Sequence, residues 1–259
     1  MDFRGEAAVC GAPGRPNCIT DRKVNFAELQ ANYSSATPKI IVVDDLLSPK
    51  ALNSLHSFAT TSTFWNGIKE TYFGSVMVRG FASFSLLAIS LELAAAFPAI
   101  FCSHVMTQMW AFSYSNVPAQ DVDAKVGGVG MHADGAAVNV NFWLTPTEHN
   151  LVSTPDDPSG GLRVYHCGAP LELSHAAYNQ GHEQLQRHVD EHPEECGFTD
   201  VPYRRNRAVI FDSNLIHETI PANFKPGFDK RRINLTFLYG NRGASCKGSN
   251  GLDASKQDL

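Results

Sequence analysis

His132 and Asp134 stand two residues apart in Gly130-Met131-His132-Ala133-Asp134. On extended backbone, residues i and i+2 point to the same side, so an imidazole and a carboxylate would converge. That is two-thirds of a metal site, and it calls for a third donor. The triplet alone says little in a chain with 10 histidines, and His188-Val189-Asp190 is a second copy of it. Context separates the two. The first precedes Val138-Asn139-Val140-Asn141-Phe142-Trp143, whose alternation predicts a strand. The second lies in a segment of helical composition, 184–192, where i and i+2 point apart.

His217, just after the predicted strand 208–212, is the candidate third donor. A lone histidine at a strand end is more often a hydrogen-bonded structural residue than a ligand, so the case needs more. Arg232 supplies it. In the predicted strand 232–239, alternation puts Arg232, Asn234 and Thr236 on one face and Ile233, Leu235 and Phe237 on the other. An Arg/Asn/Thr face in a core strand is costly to bury unless something polar binds there. Asn139 and Asn141, with Trp143, form a comparable face on the earlier strand. Two neutral histidines and one aspartate leave a divalent cation with net positive charge and open positions, the donor set of non-heme iron(II) oxygenases. An arginine nearby suits a carboxylate held by two parallel hydrogen bonds. Arg231 is its rival, but choosing it would turn Asn234 and Thr236 outward.

A different chemistry competes. His188-Val189-Asp190-Glu191-His192 fits the HxxEH pattern of inverted zinc peptidases, in which i and i+4 histidines share a helix face. Against a zinc metallohydrolase stand Pro193, which follows at once, and the scarcity of apolar anchors, only Leu185 and Val189.

The elements that must position these residues are mostly strands. Strands are predicted at 39–45, 64–78 (as a hairpin or a strand pair), 107–114, 138–143, 159–165, 206–212 and 232–239, with 214–217 following within one or two residues of the strand at 206–212. Ser48 and Pro49 are a helix start, with the helix running to about Thr60. Residues 83–96 predict a buried helix, and 171–192 a polar helical stretch. The fold class is therefore mainly β with flanking helices, a sandwich or jelly roll. One domain, 38–240, is expected, with an N-terminal arm at 1–37 and a disordered tail at 241–259. The net charge of −5 leaves no basic face, so no nucleic-acid partner is expected. The most apolar stretch, 81–101, carries Glu92 and Pro98 and predicts a buried helix rather than a membrane span. No secretory signal is visible at the N-terminus. Six scattered cysteines without a CxxC pair predict mostly reduced thiols in a cytoplasmic protein.

With these residues in hand, the sequence resembles the iron(II)/2-oxoglutarate-dependent dioxygenase superfamily, prolyl-hydroxylase-like branch. His132, Asp134, His217 and Arg232 match its HxD, distal histidine and basic residue. Tyr114 before HxD, the Gly160-Gly161 turn and Phe211-Asp212 before the histidine agree as well. The segment from His217 to Thr236 further resembles an oxygenase domain attached to tetratricopeptide repeats in microbial proteins, although no repeats are visible here. The resemblance, over roughly residues 38–240, implies a double-stranded β-helix (jelly roll, cupin-like). It implies Fe(II), 2-oxoglutarate and O2, with release of succinate and carbon dioxide as a C–H bond is hydroxylated. Arg232 would hold the distal carboxylate of 2-oxoglutarate, with Thr236, Asn234 and Tyr114 assisting. Asn139, Asn141 and Trp143 would face the same cavity. The substrate would be a protein side chain or a small metabolite. One departure is the 15-residue step from His217 to Arg232, where the branch usually has about ten. A non-catalytic cupin-like binding module is the remaining alternative.

Overall fold

The computed structural model describes residues 19–21, 23–69, 71–114, 128–152, 154–244 and 246. The strands are β1 Ile40–Val43, β2 Gly67–Ile68, β3 Tyr72–Val76, β4 Met106–Tyr114, β5 Val138–Trp143, β6 Leu162–Gly168, β7 Phe198–Val201, β8 Ala208–Asp212, β9 Leu215–Thr219 and β10 Ile233–Tyr239. The helices are α1 Phe26–Ser35, α2 Pro49–Thr61, α3 Phe84–Ala96, α4 Pro98–Phe101, α5 His175–Gln180 and α6 His182–Glu191. Seven strands form one sheet in the order β1-β8-β5-β10-β4-β3-β2, and three form a second in the order β7-β6-β9. Every ladder described is antiparallel. The expected mainly β jelly roll with flanking helices is what the chain forms.

Alternation along the central strands explains why the large sheet has two different cores. Val138, Val140 and Phe142 of β5, Ala208 and Ile210 of β8, and Ile233, Leu235 and Phe237 of β10 pack with Leu52 and Leu55 of α2 and Leu86, Ile89 and Leu93 of α3. The alternate residues, Trp143, Val209 and Phe211, meet Leu162, Val164 and Leu215 of the small sheet. Helices α2 and α3 thus cover one face of the large sheet, and the small sheet covers the other, while Tyr178 of α5 and Leu185 of α6 pack with Tyr165 and Ile216 of the small sheet. Polar residues of β5 and β10 are confined to the inter-sheet side, and so is the site.

Local signals start the helices. Ser48 caps α2 by accepting from the Ala51 amide, with Pro49 at the first helical position. Ser83 caps α3 the same way, accepting from Leu86. The arm lies over the helical layer. Val24, Phe26, Leu29 and Tyr33 pack on that core, and the Glu92 carboxylate accepts from the Ile19 and Thr20 amides. Residues 1–18 lie outside those described.

Several expectations change. The stretch 171–192 is not one helix, because Gly181 separates α5 from α6. Helix α3 is buried on one side only: Phe84 is 88% exposed, and Leu87 and Leu91 lie open too. The expected reduced thiols are not found. Cys102 pairs with Cys246 and Cys167 with Cys196 as disulfides, with Cα atoms 5.8 and 4.8 Å apart. The sequence separations of 144 and 29 residues hid both, since only the fold brings these ends together. The thiol part of the argument for a cytoplasmic location does not hold for these four cysteines; Cys10 and Cys18 lie outside the described residues. Among the described residues, no helix is long and apolar enough to cross a membrane. The expected disordered tail starts too early, because Arg242 donates to the Asn214 side chain and the Ala169, Pro170, Leu171 and Leu173 carbonyls. From 247 onward the expected tail lies outside the described residues.

Candidate metal centre

His132 and His217 are brought together by backbone pairing. The His132 amide donates to the His217 carbonyl at 2.9 Å, and the His217 amide returns the bond at 2.8 Å. Residues opposed in this way on antiparallel strands project to the same face. One more bond, Thr219 amide to Val129 carbonyl at 2.9 Å, extends this pairing along the edge of β9. His132 is therefore a bridge residue beside β9 rather than part of β5. Two residues on, the Asp134 amide donates to the Ser213 carbonyl, which fixes its carboxylate beside the two rings.

The result is a compact donor set in which one ligand atom from each of His132, Asp134 and His217 lies within 4.8 Å of the others. His217 Nε2 stands 3.4 Å from Asp134 Oδ2, and His132 Nε2 stands 4.0 Å from Asp134 Oδ1. The imidazoles lie 4.2 Å apart, centroid to centroid. Their tautomers follow from their other partners. Nδ1 of His132 faces the Gly130 carbonyl at 2.7 Å, and Nδ1 of His217 faces that of Leu215 at 2.9 Å. A carbonyl can only accept, so each Nδ1 carries the proton and each Nε2 keeps a free lone pair. Burial, and then the neighbouring His217, push the His132 pKa down to about 4. Burial works against charge on Asp134, yet the close contact with His217 and the surrounding imidazoles hold its carboxyl below the usual range. Two neutral nitrogens and one carboxylate are the forms that coordinate metal.

Asp134 has its own supports. Asn139 donates to its Oδ2 at 2.8 Å, and Asn179 of α5 approaches Oδ1 at 3.5 Å. Asn179 was not foreseen, since nothing in sequence links a polar helix at 175–180 to an HxD 40 residues earlier. Asn139 Oδ1 is buried without a partner, so Asn139→Leu should keep volume and cost little stability. It should loosen Asp134, lowering iron(II) affinity by about 10–100-fold, the scale of an outer-shell loss. Anaerobic iron titration with a parallel thermal melt checks both halves.

Arg232 lies beyond the triad, only 3% exposed, with Asn234 and Thr236 buried on the same face. It bonds to the Gly160 carbonyl, to Asn234 Oδ1 at 3.0 Å and to the Gly161 carbonyl at 3.3 Å. Its guanidinium stacks 4.6 Å above the Tyr114 ring, and Tyr114 in turn shares a hydrogen bond with Thr219 at 3.3 Å. The Gly160-Gly161 turn can approach so closely because it lacks side chains: Gly160 has φ +79°, and a Cβ on Gly161 would collide with the Val201 carbonyl. No carboxylate among the described residues pairs with Arg232. Burial lowers its pKa, the sign of a cation held away from water without a counter-charge. Arg231 instead lies over Phe73, 4.3 Å from the ring centroid.

The remaining expected residues divide. Asn141 and Thr236 line a small cavity between the triad and Arg232. Trp143 sits behind that wall, in tilted contact with the Tyr203 ring and with Arg232 5.7 Å from its ring centroid, and its Nε1 finds no hydrogen-bond partner among the described residues. His188 and His192 do not form a zinc-peptidase pair, because no third histidine or carboxylate among the described residues joins them. Beside the triad opens a cleft of about 820 Å³, walled by Val129, Arg163, Glu183, Arg187, Asp190 and Glu218 among others.

The fold has known counterparts. A 2OG-Fe(II) oxygenase family oxidoreductase from Burkholderia pseudomallei aligns with a TM-score of 0.52 at 11% identity, covering 86% of this chain and 96% of its own. A prolyl-4-hydroxylase from Pseudomonas putida gives 0.51 at 14% identity over 84% and 99%. HygX from Streptomyces hygroscopicus, solved with nickel, 2-oxoglutarate and hygromycin B, gives 0.53 at 13% identity over 83% and 85%. At such identities the likeness establishes the fold that the chain shares with these oxygenases. No protein-family model matches the sequence, and no curated protein matches it.

Proposed function

We propose that the chain is an iron(II)- and 2-oxoglutarate-dependent dioxygenase that hydroxylates an unactivated C–H bond and releases succinate and carbon dioxide. One observation carries the reading. A two-histidine, one-aspartate donor set lies beside a buried arginine that lacks an acidic partner. The donor set suits a divalent iron, and the arginine suits the far carboxylate of a dicarboxylate.

Fe(II), when bound, would supply the redox chemistry with O2. The protein's part is positional. His132 and His217 offer Nε2 lone pairs because their Nδ1 protons are committed to carbonyls. Asn139 keeps Asp134 turned toward them. Asn234 and Tyr114 hold the plane of the Arg232 guanidinium. The free cavity there is only about 20 Å³, roughly the space of one water. For 2-oxoglutarate to enter, Arg232 must exchange its Gly160 and Gly161 carbonyl contacts for the ligand's carboxylate. Thr236 and Asn141, on the same wall, are placed to complete the grip.

The prime substrate, a protein side chain or a small metabolite, would approach through the large cleft. Its mixed charge, with Arg163 and Arg187 on the same lining as Glu183, Asp190 and Glu218, favours a polar substrate carrying both signs. The structural counterparts include both a prolyl-4-hydroxylase and a protein solved with hygromycin B. The test is succinate formation from 2-oxoglutarate with iron(II) and air, against a panel of peptides and polar metabolites. Succinate that requires iron and rises with one panel member is the expected result. Binding of 2-oxoglutarate with no succinate under any condition would make the chain a binding module instead.

A further inference from the structure

The histidine that the function leaves unused stands beside a disulfide. His188 is in the last turn of α6, Cys167 is in β6, and Cys196 is in the turn before β7. One donor atom from each lies within 4.8 Å of the others, the same closeness as the triad. His188 stacks on His192 at 4.7 Å, but no hydrogen bond engages its ring nitrogens among the described residues. The Cys102–Cys246 pair has no such company: no imidazole or carboxylate joins it within that distance among the described residues.

We propose that Cys167, Cys196 and His188 form a second metal site, exclusive with the disulfide, that takes a zinc-class divalent cation once the pair is reduced. Two thiolates and an imidazole are the soft donors that such cations select, with a fourth position left for water. The steps balance. A dithiol reductant gives two electrons and two protons, so the Cys167–Cys196 bond breaks into two thiols while the reductant becomes a disulfide. Metal binding then releases the two thiol protons to solvent.

The consequence reaches the cleft. The disulfide ties β6 only to the turn before β7, whereas the metal would also grip α6. Helix α6 supplies Glu183, Gln186, Arg187 and Asp190 to the cleft wall, and β6 supplies Arg163. Redox state would thus decide whether one wall of the substrate cleft is clamped to the sheet behind it. The site stands on its own donors and not on the dioxygenase reading.

The probe is cobalt(II), added anaerobically to the whole chain after reduction and removal of the reductant. Thiolate-to-cobalt charge-transfer absorption excludes the triad, which contains no sulfur, and comparison with Cys167→Ser separates this site from the thiols that reduction of Cys102–Cys246 also frees. The expected result is a thiolate band at about one cobalt per chain after reduction, absent before it, and lost in Cys167→Ser. His188→Ala, which leaves the disulfide intact, should weaken binding at least about tenfold, since even an outer-shell partner is worth that much. No thiolate band after reduction, or a band whose affinity ignores His188→Ala, overturns the proposal.

Discussion

His132→Ala should abolish both the visible charge-transfer band of the anaerobic iron(II)–2-oxoglutarate complex and the formation of succinate. The side chain has two tasks, and they differ in weight. Its Nδ1 bond to Gly130 is local, and its ring is 13% exposed. Its loss should therefore cost only about 1 kcal/mol, a shift of roughly 2–4 °C for a chain of this size. Its Nε2 is one of three protein donors that cluster at the candidate centre among the described residues. Loss of an outer-shell partner lowers metal affinity by about 10–100-fold, so loss of a direct ligand should exceed that. The contrast between a small stability change and a large loss of iron is what marks a ligand. His192→Ala is the control, because a zinc hydrolase built on His188 and His192 would lose its metal there, while His192 is not among the donors clustered with Cys167 and Cys196. The dioxygenase should keep its band and its succinate. A His132→Ala protein that still shows the band would sink the assignment.

The inward face of the site could be read from the chain because strands make it legible. Asn234, Thr236 and Asn141 lie where alternation puts them, opposite the apolar face that packs under the helices. His217 could be proposed because it follows a strong strand, though its pairing with His132 is a tertiary fact. Part of what escaped the sequence depends on partners distant in the chain. Asn179 reaches Asp134 only because the Tyr178 carbonyl accepts from the Ala133 amide and docks α5 beside the metal loop. Strand β7 is short and not strongly apolar, and it exists by pairing with β6. The open face of α3 escaped because Phe84, Leu87 and Leu91 have the same composition as the buried face, so hydropathy could not divide them. Trp143 shows the limit of alternation: it points to the correct side but packs behind the cavity wall, a matter of depth that periodicity does not contain.

Arg232 should separate ligand binding from folding more sharply than any other residue. Arg232→Leu removes the buried cation that lines the cavity. If the arginine exists to hold a carboxylate, 2-oxoglutarate affinity should fall by about 2–4 kcal/mol, the usual cost when one partner of a desolvated charge pair is lost. That is a factor of roughly 30 to 1,000 in Kd. Iron binding in the absence of 2-oxoglutarate should be unaffected, because Arg232 is not among the three clustered donors. The sign of the stability change is the second readout. Without ligand, Arg232 is a desolvated charge whose partners are two turn carbonyls and an amide oxygen, with no counter-ion. Replacing an uncompensated buried charge with an apolar side chain is often neutral or stabilising. Arg232→Leu should therefore melt no lower than the parent when 2-oxoglutarate is absent. The parent should gain stability as 2-oxoglutarate is added, following RT ln(1 + [L]/Kd), and the variant should not. Arg232→Lys keeps the charge but not the two-pronged geometry, and should fall between them. A structural arginine, needed only to hold the Gly160-Gly161 turn, gives the opposite pattern: a lower melting temperature in both variants and an undiminished gain on adding 2-oxoglutarate.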